Sequence, residues 1–100
     1  MSFQISEFLG IFSVHGKLNV DNVPIFKRHM NTLLKRKSRL VLNLERTEEM
    51  DAQGAFALKE LVTNASEFDC SLTIFGRNNK NILPVLKRTN ICDMFSDFMW

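Results

Sequence analysis

LVLNLERTEEMDAQG is the sequence of residues 40–54. Its first five residues are apolar except for Asn43, as expected for a central strand of a parallel sheet that is covered on both faces. A polar loop, Glu45 to Glu49, follows this strand. Asp51 then occupies a helix N-cap position, and the apolar spacing predicts a helix from about Ala52 to Ser66. A buried strand that leads through a loop into a helix indicates an α/β fold.

The residues before this stretch predict a pair of strands and a helix. Residues 3–16 alternate imperfectly between apolar and polar, which favours two short antiparallel strands. Asn19 or Asp21 can then cap a helix whose apolar residues recur at three- and four-residue spacing. Pro24 falls in the first turn of that helix, where its missing N–H group does little harm.

The residues after this stretch predict one more buried strand and one more helix. The strand spans Ser71 to Phe75, and the helix runs from Asn79 or Asn81 to Arg88. Residues 91–100 alternate like a strand at their end and like a helix at their start, so both structures stay open. The order of elements implies a mixed sheet whose central strands are parallel and joined by right-handed crossovers.

The composition indicates one small domain. A chain of 100 residues with 45% hydrophobic residues can form one compact core, and nothing resembles a linker, so we predict a single domain over residues 1–100. The net charge of +2 is too small to imply nucleic acid or an acidic membrane by itself. No apolar run approaches the roughly 20 residues that span a bilayer, so we expect no membrane insertion and a cytoplasmic protein.

The chain lacks the residue patterns of common enzymes. It contains two histidines and no GxSxG motif, HExxH motif or phosphate-binding loop. His15 and His29 are expected on the surface. Cys70 and Cys92 lack the spacing of a zinc site and are interpreted as buried or idle thiols. We therefore predict a protein that is not an enzyme and uses no metal or other cofactor.

Two segments at the ends of predicted helices, residues 51–54 and 35–39, are candidate binding sites. At Asp51 to Gly54, free N–H groups and the positive end of the helix dipole meet a small residue and a glycine that permits close approach. This is either a capped helix start without a partner or a binding site. The cations Lys35 to Arg39 suit the negative end of the first helix. They are interpreted as a solvated face, with an anion or nucleotide site as the alternative.

Residues 40–45 and 50–54 together resemble the signature of the STAS domain family, the anti-sigma factor antagonists. In that family a VLNL-type strand leads to a helix start of the type Asp-Ser-Ser-Gly. Gly16-Lys17-Leu18-Asn19 is similar to the end of the family's second strand, and Thr89-Asn90-Ile91 is similar to its closing Ser/Thr-Gly-Leu. The resemblance covers essentially the whole chain.

The resemblance implies a STAS-like α/β fold with a mixed four- to five-stranded sheet and helices packed mainly on one face. It also implies a regulatory module that binds a kinase-type anti-sigma factor and releases it when the serine after the Asp is phosphorylated. Carried over to this chain, Asp51 orients the loop, Ala52 marks the centre of the contact surface and Gly54 allows close approach. Asn19 and Asn43 shape the neighbouring rim.

The chain departs from the family pattern at the docking surface itself. Ala52 occupies the phosphoacceptor position and Gln53 follows it, so neither side chain can accept a phosphate. Phe56 replaces a small residue and is either an aromatic anchor for a partner or a packing residue. Glu49 replaces an apolar residue. The usual phosphorylation switch is therefore missing.

Three functions remain as hypotheses. The first is a regulatory module that binds an anti-sigma factor or a related kinase-like protein without control by phosphorylation. Its contact residues would be Asp51 to Gly54, which include Gln53, together with Phe56. The second is a cytoplasmic accessory subunit of a membrane transporter for lipids or other solutes. The third is binding of a nucleotide or another small anion at the helix start or at Lys35 to Arg39.

Overall fold

The computed structural model describes residues 3–91. Within them, the chain forms a five-stranded sheet and three helices. The elements in chain order are β1 (Gln4–Phe8), β2 (Ile11–Leu18), α1 (Val23–Arg36), β3 (Arg39–Asn43), β4 (Thr47–Met50), α2 (Ala52–Glu67), β5 (Ser71–Phe75) and α3 (Leu83–Arg88). The predicted mixed α/β fold is confirmed.

The sheet is mixed, and its helix-covered face holds the core. Its main order is β1-β2-β3-β5, with β1 antiparallel to β2 and with β3 parallel to both of its neighbours. The side chains that point toward α1 and α2 are buried; they include Phe12, Val14, Leu40, Leu42 and Ile74. Alternate residues of the same strands, such as Ser13 and Asn43, point to the opposite face and are only partly buried. The helices thus cover mainly one face, as the resemblance implied, and the prediction that β3 is covered on both faces is wrong, since Val41 and Asn43 are only partly buried.

The prediction of a polar loop from Glu45 to Glu49 is wrong, because Thr47–Met50 is a strand. β3 pairs with the first half of β2, Ile11 with Val41, and β4 pairs with the second half, Leu18 with Met50. Both pairings are parallel, so the chain from β3 to β4 runs alongside β2 as one interrupted strand. The offset between paired residue numbers grows from 30 to 31 at the interruption between β3 and β4, and to 32 at an irregularity between Gly16 and Lys17.

Side chains complete the hydrogen bonds at the interruption. The Thr47 hydroxyl is buried and donates to the Val14 carbonyl at 2.9 Å. The Asn79 amide group donates to the carbonyls of Leu44 and Thr47, at 2.9 and 2.8 Å. Backbone carbonyls that leave a sheet ladder need such partners, since a buried unpaired carbonyl is costly. Thr47 therefore ties the start of β4 to β2, and Asn79 ties it to the turn before α3.

A close backbone contact fixes α2 against the end of β2. Gly54 is buried, and a Cβ atom built on it would overlap the carbonyl oxygen of Leu18 and lie 3.0 Å from Cγ of Met50. Only glycine fits there. The close approach that the sequence predicted at Gly54 is thus made by the chain's own Leu18, and a partner does not reach this position.

The predicted helices are present, with shifts at two of their starts. α2 begins at Ala52 with Asp51 as its N-cap, as predicted. α1 begins at Val23 and has Asn22 at its N-cap position, because Asn19 uses its side chain to close the preceding turn. α3 begins only at Leu83. It follows a turn in which the Asn79 side chain accepts a hydrogen bond from the Asn81 N–H. Both prolines lie in first turns, and the undecided residues 92–100 lie outside the described part of the chain.

The buried hydroxyl of Thr47 generates a stability prediction. Thr47→Val keeps the side-chain shape and the strand preference but leaves the Val14 carbonyl without its donor, so we expect the free energy of unfolding to fall by about 1–3 kcal/mol. Urea unfolding followed by far-UV circular dichroism measures it. Thr63→Val removes an exposed hydroxyl on α2 and serves as the control. An equal effect of both substitutions would contradict the proposed role of Thr47.

The contact between Gly54 and the Leu18 carbonyl generates a second stability prediction. Gly54→Ala forces α2 away from the end of β2, and we expect a loss of about 1–3 kcal/mol despite the better helix propensity of alanine. The same unfolding measurement tests it. Ser66→Ala, on the exposed side of the same helix, should leave the free energy of unfolding nearly unchanged. A Gly54→Ala variant as stable as the parent would show that the backbone contact is not required.

Candidate partner-binding site at the start of α2

Asp51 joins two segments that are distant in the sequence. Its Oδ1 atom accepts a hydrogen bond from the Gly54 N–H at 2.9 Å, which caps α2. Its Oδ2 atom accepts from the Val20 N–H at 3.0 Å, in the loop between β2 and α1. Its own N–H donates to the Leu18 carbonyl at 3.3 Å. Both carboxylate oxygens are therefore engaged within the chain, and Asp51 positions the surface around it.

Asn19 shapes the loop that Asp51 holds. Its Oδ1 atom accepts from the N–H groups of Asp21 and Asn22, at 3.1 and 3.2 Å. The Asn22 side chain returns a hydrogen bond to the Lys17 carbonyl at 2.8 Å. These bonds close a tight turn in which Val20 lies beside Asp51. Asn19 and Asp51 thus act on the same loop, Asn19 by closing its turn and Asp51 through the Val20 N–H.

The side chains above this framework form a mixed apolar and polar surface. Gln53 is exposed, Ala52 is partly buried, and the Phe56 ring is 50% exposed on the same side of α2. Val20, which Asp51 holds through its backbone, is 59% exposed. We call Val20, Ala52, Gln53 and Phe56 the docking surface. Sequence analysis missed Val20 because a single valine in a loop carries no periodic signal.

A shallow depression between α1 and α2 extends the docking surface. It has a volume of about 130 Å³ and is lined by Val23, Lys27, Gln53, Phe56, Ala57 and Glu60. An ion pair between Lys27 and Glu60, at 3.1 Å, closes one side. Both of its partners are substantially exposed, so the pair marks the rim and adds little stability. Three of its six lining residues, Lys27, Gln53 and Glu60, are polar or charged, so the depression combines apolar and polar side chains.

Two predicted site residues lie elsewhere. Gly54 is buried beneath the docking surface, as its contact with Leu18 requires. Asn43 points to the sheet face away from the helices. There its Oδ1 atom accepts from the Glu45 N–H at 3.0 Å, and its amide group lies 3.4 Å from the Ser13 hydroxyl. Asn43 therefore faces a separate concavity that also contains His15 and Arg46.

The titratable residues offer no catalytic arrangement at the docking surface. His15 is partly buried, forms a hydrogen bond with Ser6 at 2.9 Å and lines an open concavity, which agrees with the prediction of a surface histidine. His29 is exposed on α1, as predicted. Cys70 is buried, and burial raises the pKa of its thiol, which lowers its reactivity. Cys92 lies outside the described residues.

Residues 3–91 contain neither a cluster of metal ligands nor a membrane-spanning helix. No group of three or more His, Cys, Asp or Glu side chains in this part of the chain converges as metal ligands would. None of the three helices described is long and apolar enough to cross a bilayer.

Comparison with known proteins places this geometry in a family. The sequence profile of the STAS domain matches residues 2–99. No curated protein matches the sequence significantly.

Asn90 has a φ of +64°, in the left-handed region that glycine favours and asparagine tolerates. This explains how Thr89-Asn90-Ile91 replaces the family's Ser/Thr-Gly-Leu.

Solved structures show the same fold at low sequence identity. The anti-sigma factor antagonist SpoIIAA in its unphosphorylated form has a TM-score of 0.74 and 13% identity, over 95% of this chain and 86% of its own. An anti-sigma factor antagonist from Mycobacterium paratuberculosis has a TM-score of 0.70 and 14% identity, over 94% and 81%. The STAS domain of a SulP transporter from Vibrio cholerae has a TM-score of 0.55 and 18% identity, over 92% and 73%. With a profile match over nearly its whole length and this shared fold, the chain belongs to the STAS domain family.

Proposed function

We propose that this chain is a non-enzymatic regulatory module that binds a protein partner through the docking surface. The observation that carries the proposal is the exposure of two apolar side chains, Val20 and Phe56, on either side of the start of α2. Exposed aromatic side chains at the centre of a contact surface are typical anchors of protein–protein binding. The depression beside Phe56 offers a complementary site for a side chain of the partner.

Asp51 preorganises the docking surface for binding a protein partner. It fixes the Val20 loop and the first turn of α2 with one carboxylate. Binding then requires little ordering of the backbone, and less of the interaction energy is lost to conformational entropy. In this proposal Asp51, Asn19 and Gly54 position the surface, whereas Val20, Ala52, Gln53 and Phe56 contact the partner.

The proposed binding is constitutive. In the STAS pattern a serine follows the Asp, and a phosphate there adds a charge of about −1.5 to −2 at the centre of the contact. Ala52 and Gln53 have no hydroxyl group, so this chain has no acceptor at those positions. Binding is then regulated by the amount of partner or of this chain, and not by phosphorylation at the start of α2.

We propose an anti-sigma factor or a related kinase-like regulator as the partner, met in the cytoplasm. The supporting observation is the shared fold with two anti-sigma factor antagonists over most of both chains. A second candidate is a subunit of a membrane transporter, since the chain also shares its fold with a transporter STAS domain. Both candidates use the same docking surface, so the surface and the partner require separate tests.

Ala52→Glu tests the docking surface. A glutamate at the first position of α2 suits the positive end of the helix dipole, so the fold should be retained. The buried charge and the added bulk should weaken partner binding at least about tenfold. Isothermal titration with the purified partner measures the effect, and thermal unfolding confirms that the variant is folded.

Two variants serve as controls for Ala52→Glu. Ser66→Glu adds the same charge at the exposed far end of α2 and should bind like the parent. Ala52→Ser adds one hydroxyl and should also retain binding. If Ala52→Glu bound the partner as tightly as Ser66→Glu, the partner would contact another surface.

Affinity capture from native lysate identifies the partner class. The parent chain and Ala52→Glu are used side by side, with detergent-solubilised membranes and the soluble fraction kept apart. We expect a soluble, kinase-like protein that the parent retains and Ala52→Glu loses. Capture of a membrane permease complex instead, with the same dependence on Ala52, would favour the transporter subunit and overturn the anti-sigma factor assignment.

A further inference from the structure

The tip of the hairpin between β1 and β2 exposes large apolar side chains at the end of the molecule opposite the docking surface. Phe8 is 75% exposed, Leu9 84% and Ile11 41%. The tip lies where the parallel strands begin, whereas the docking surface lies where β2 and β4 end. Adjacent exposed apolar side chains at one place are rare on soluble proteins and mark a contact with something else.

The turn itself does not require these side chains. Phe8 pairs with Ile11, so Leu9 and Gly10 form a two-residue turn, and both have positive φ, +52° and +83°. Such turns favour Asn or Asp at the first position and Gly at the second. Leucine is strained in this conformation and makes no compensating burial. The apolar side chain at position 9 thus serves the surface and not the fold.

Cations lie at the same end of the sheet as the tip. Arg39 begins β3, two residues before Val41, which pairs with Ile11. The ammonium group of Lys37 lies 5.7 Å from the centre of the Phe12 ring, next to Ile11. Arg36 and Lys37 line a concavity with Glu7, the neighbour of Phe8. Lys35, Arg36, Lys37 and Arg39 form no ion pair within residues 3–91.

The combination of a protruding apolar tip and flanking cations points to a membrane surface. A protein partner would need a pocket that fits the tip, but a bilayer accepts a convex apolar group of any shape. The tip is convex, because a Cβ atom built on Gly10 would have no other atom within 4 Å. Apolar insertion together with attraction of cations to anionic lipids is a known route to peripheral binding.

We propose that the tip, Phe8 to Ile11, inserts into the interface of an anionic lipid bilayer while Lys37 and Arg39 contact the lipid headgroups. The acidic residues Glu7, Glu67 and Asp69 lie at the same end of the molecule and reduce its net positive charge there. Binding is therefore peripheral and reversible, and it weakens at high salt. The small net charge of the whole chain hides this local arrangement. The proposal does not depend on the docking surface, since the two lie at opposite ends.

Flotation of the full chain with vesicles tests the proposal. We expect binding to vesicles of equal parts phosphatidylglycerol and phosphatidylcholine, and little binding to vesicles of phosphatidylcholine alone. Leu9→Asn removes the apolar side chain and suits the positive φ, so the variant should be at least as stable as the parent. Its partition onto the anionic vesicles should fall about tenfold or more. Lys37→Gln combined with Arg39→Gln should lower it by about tenfold as well.

Ile25→Gln is the matched control, because Ile25 is also an exposed apolar residue but lies on α1, away from the tip. This variant should bind vesicles like the parent. The proposal is overturned if the parent does not bind anionic vesicles, or if Leu9→Asn binds them equally well. It is also overturned if sedimentation shows self-association that Leu9→Asn abolishes, since the tip would then contact a second copy of the chain. None of these outcomes affects the affinity capture that compares the parent chain with Ala52→Glu, so the proposed docking surface is tested separately.

Discussion

The parallel pairing of β2 with the chain from Arg39 to Met50 is the constraint on which the rest of the structure depends. The first half of β2 holds β3 and the second half holds β4, and the register moves by one residue at the interruption between β3 and β4 and by one more at Gly16 and Lys17. This register delivers the Asp51 N–H to the Leu18 carbonyl and starts α2 at the end of β2. Thr47 and Asn79 satisfy the carbonyls at the interruption, so the site at α2 depends on polar contacts some distance away from it.

Much of the fold could be predicted from the sequence, because β3, β5 and α2 have long and regular apolar patterns. β4 could not. Its inward residues are Thr47 and Met50, with the two exposed glutamates Glu48 and Glu49 between them, so neither alternation nor an apolar run is visible. The late starts of α1 and α3 have a related cause. Asn19 or Asp21 was expected to cap α1, and Asn79 or Asn81 to begin α3, but Asn19 and Asn79 use their side chains to close turns before the helices begin.

The candidate site was predictable only in its local part. The cap that Asp51 places on α2 spans three residues and follows from the sequence pattern. Its bond to Val20 spans 31 residues and depends on the sheet register, which no local pattern contains. The same reason separates Asn43 from the site, because it lies on a strand whose alternation turns it to the other face. The resemblance to the STAS family supplied the global arrangement that local patterns lack, and the profile match and the fold confirm it.

The contact between Gly54 and Leu18 has a consequence for how evolution can change this protein. Because Gly54 has no side chain, the start of α2 packs directly against the Leu18 carbonyl, with the Met50 and Leu18 side chains beside it. Substitutions at Ala52, Gln53 or Phe56 then alter the chemistry of the proposed docking surface without shifting the platform beneath it. A phosphorylatable serine can be exchanged for alanine, or a small residue for phenylalanine, with the scaffold left intact. Such a platform allows related chains to diverge in partner and in regulation while they retain a single architecture.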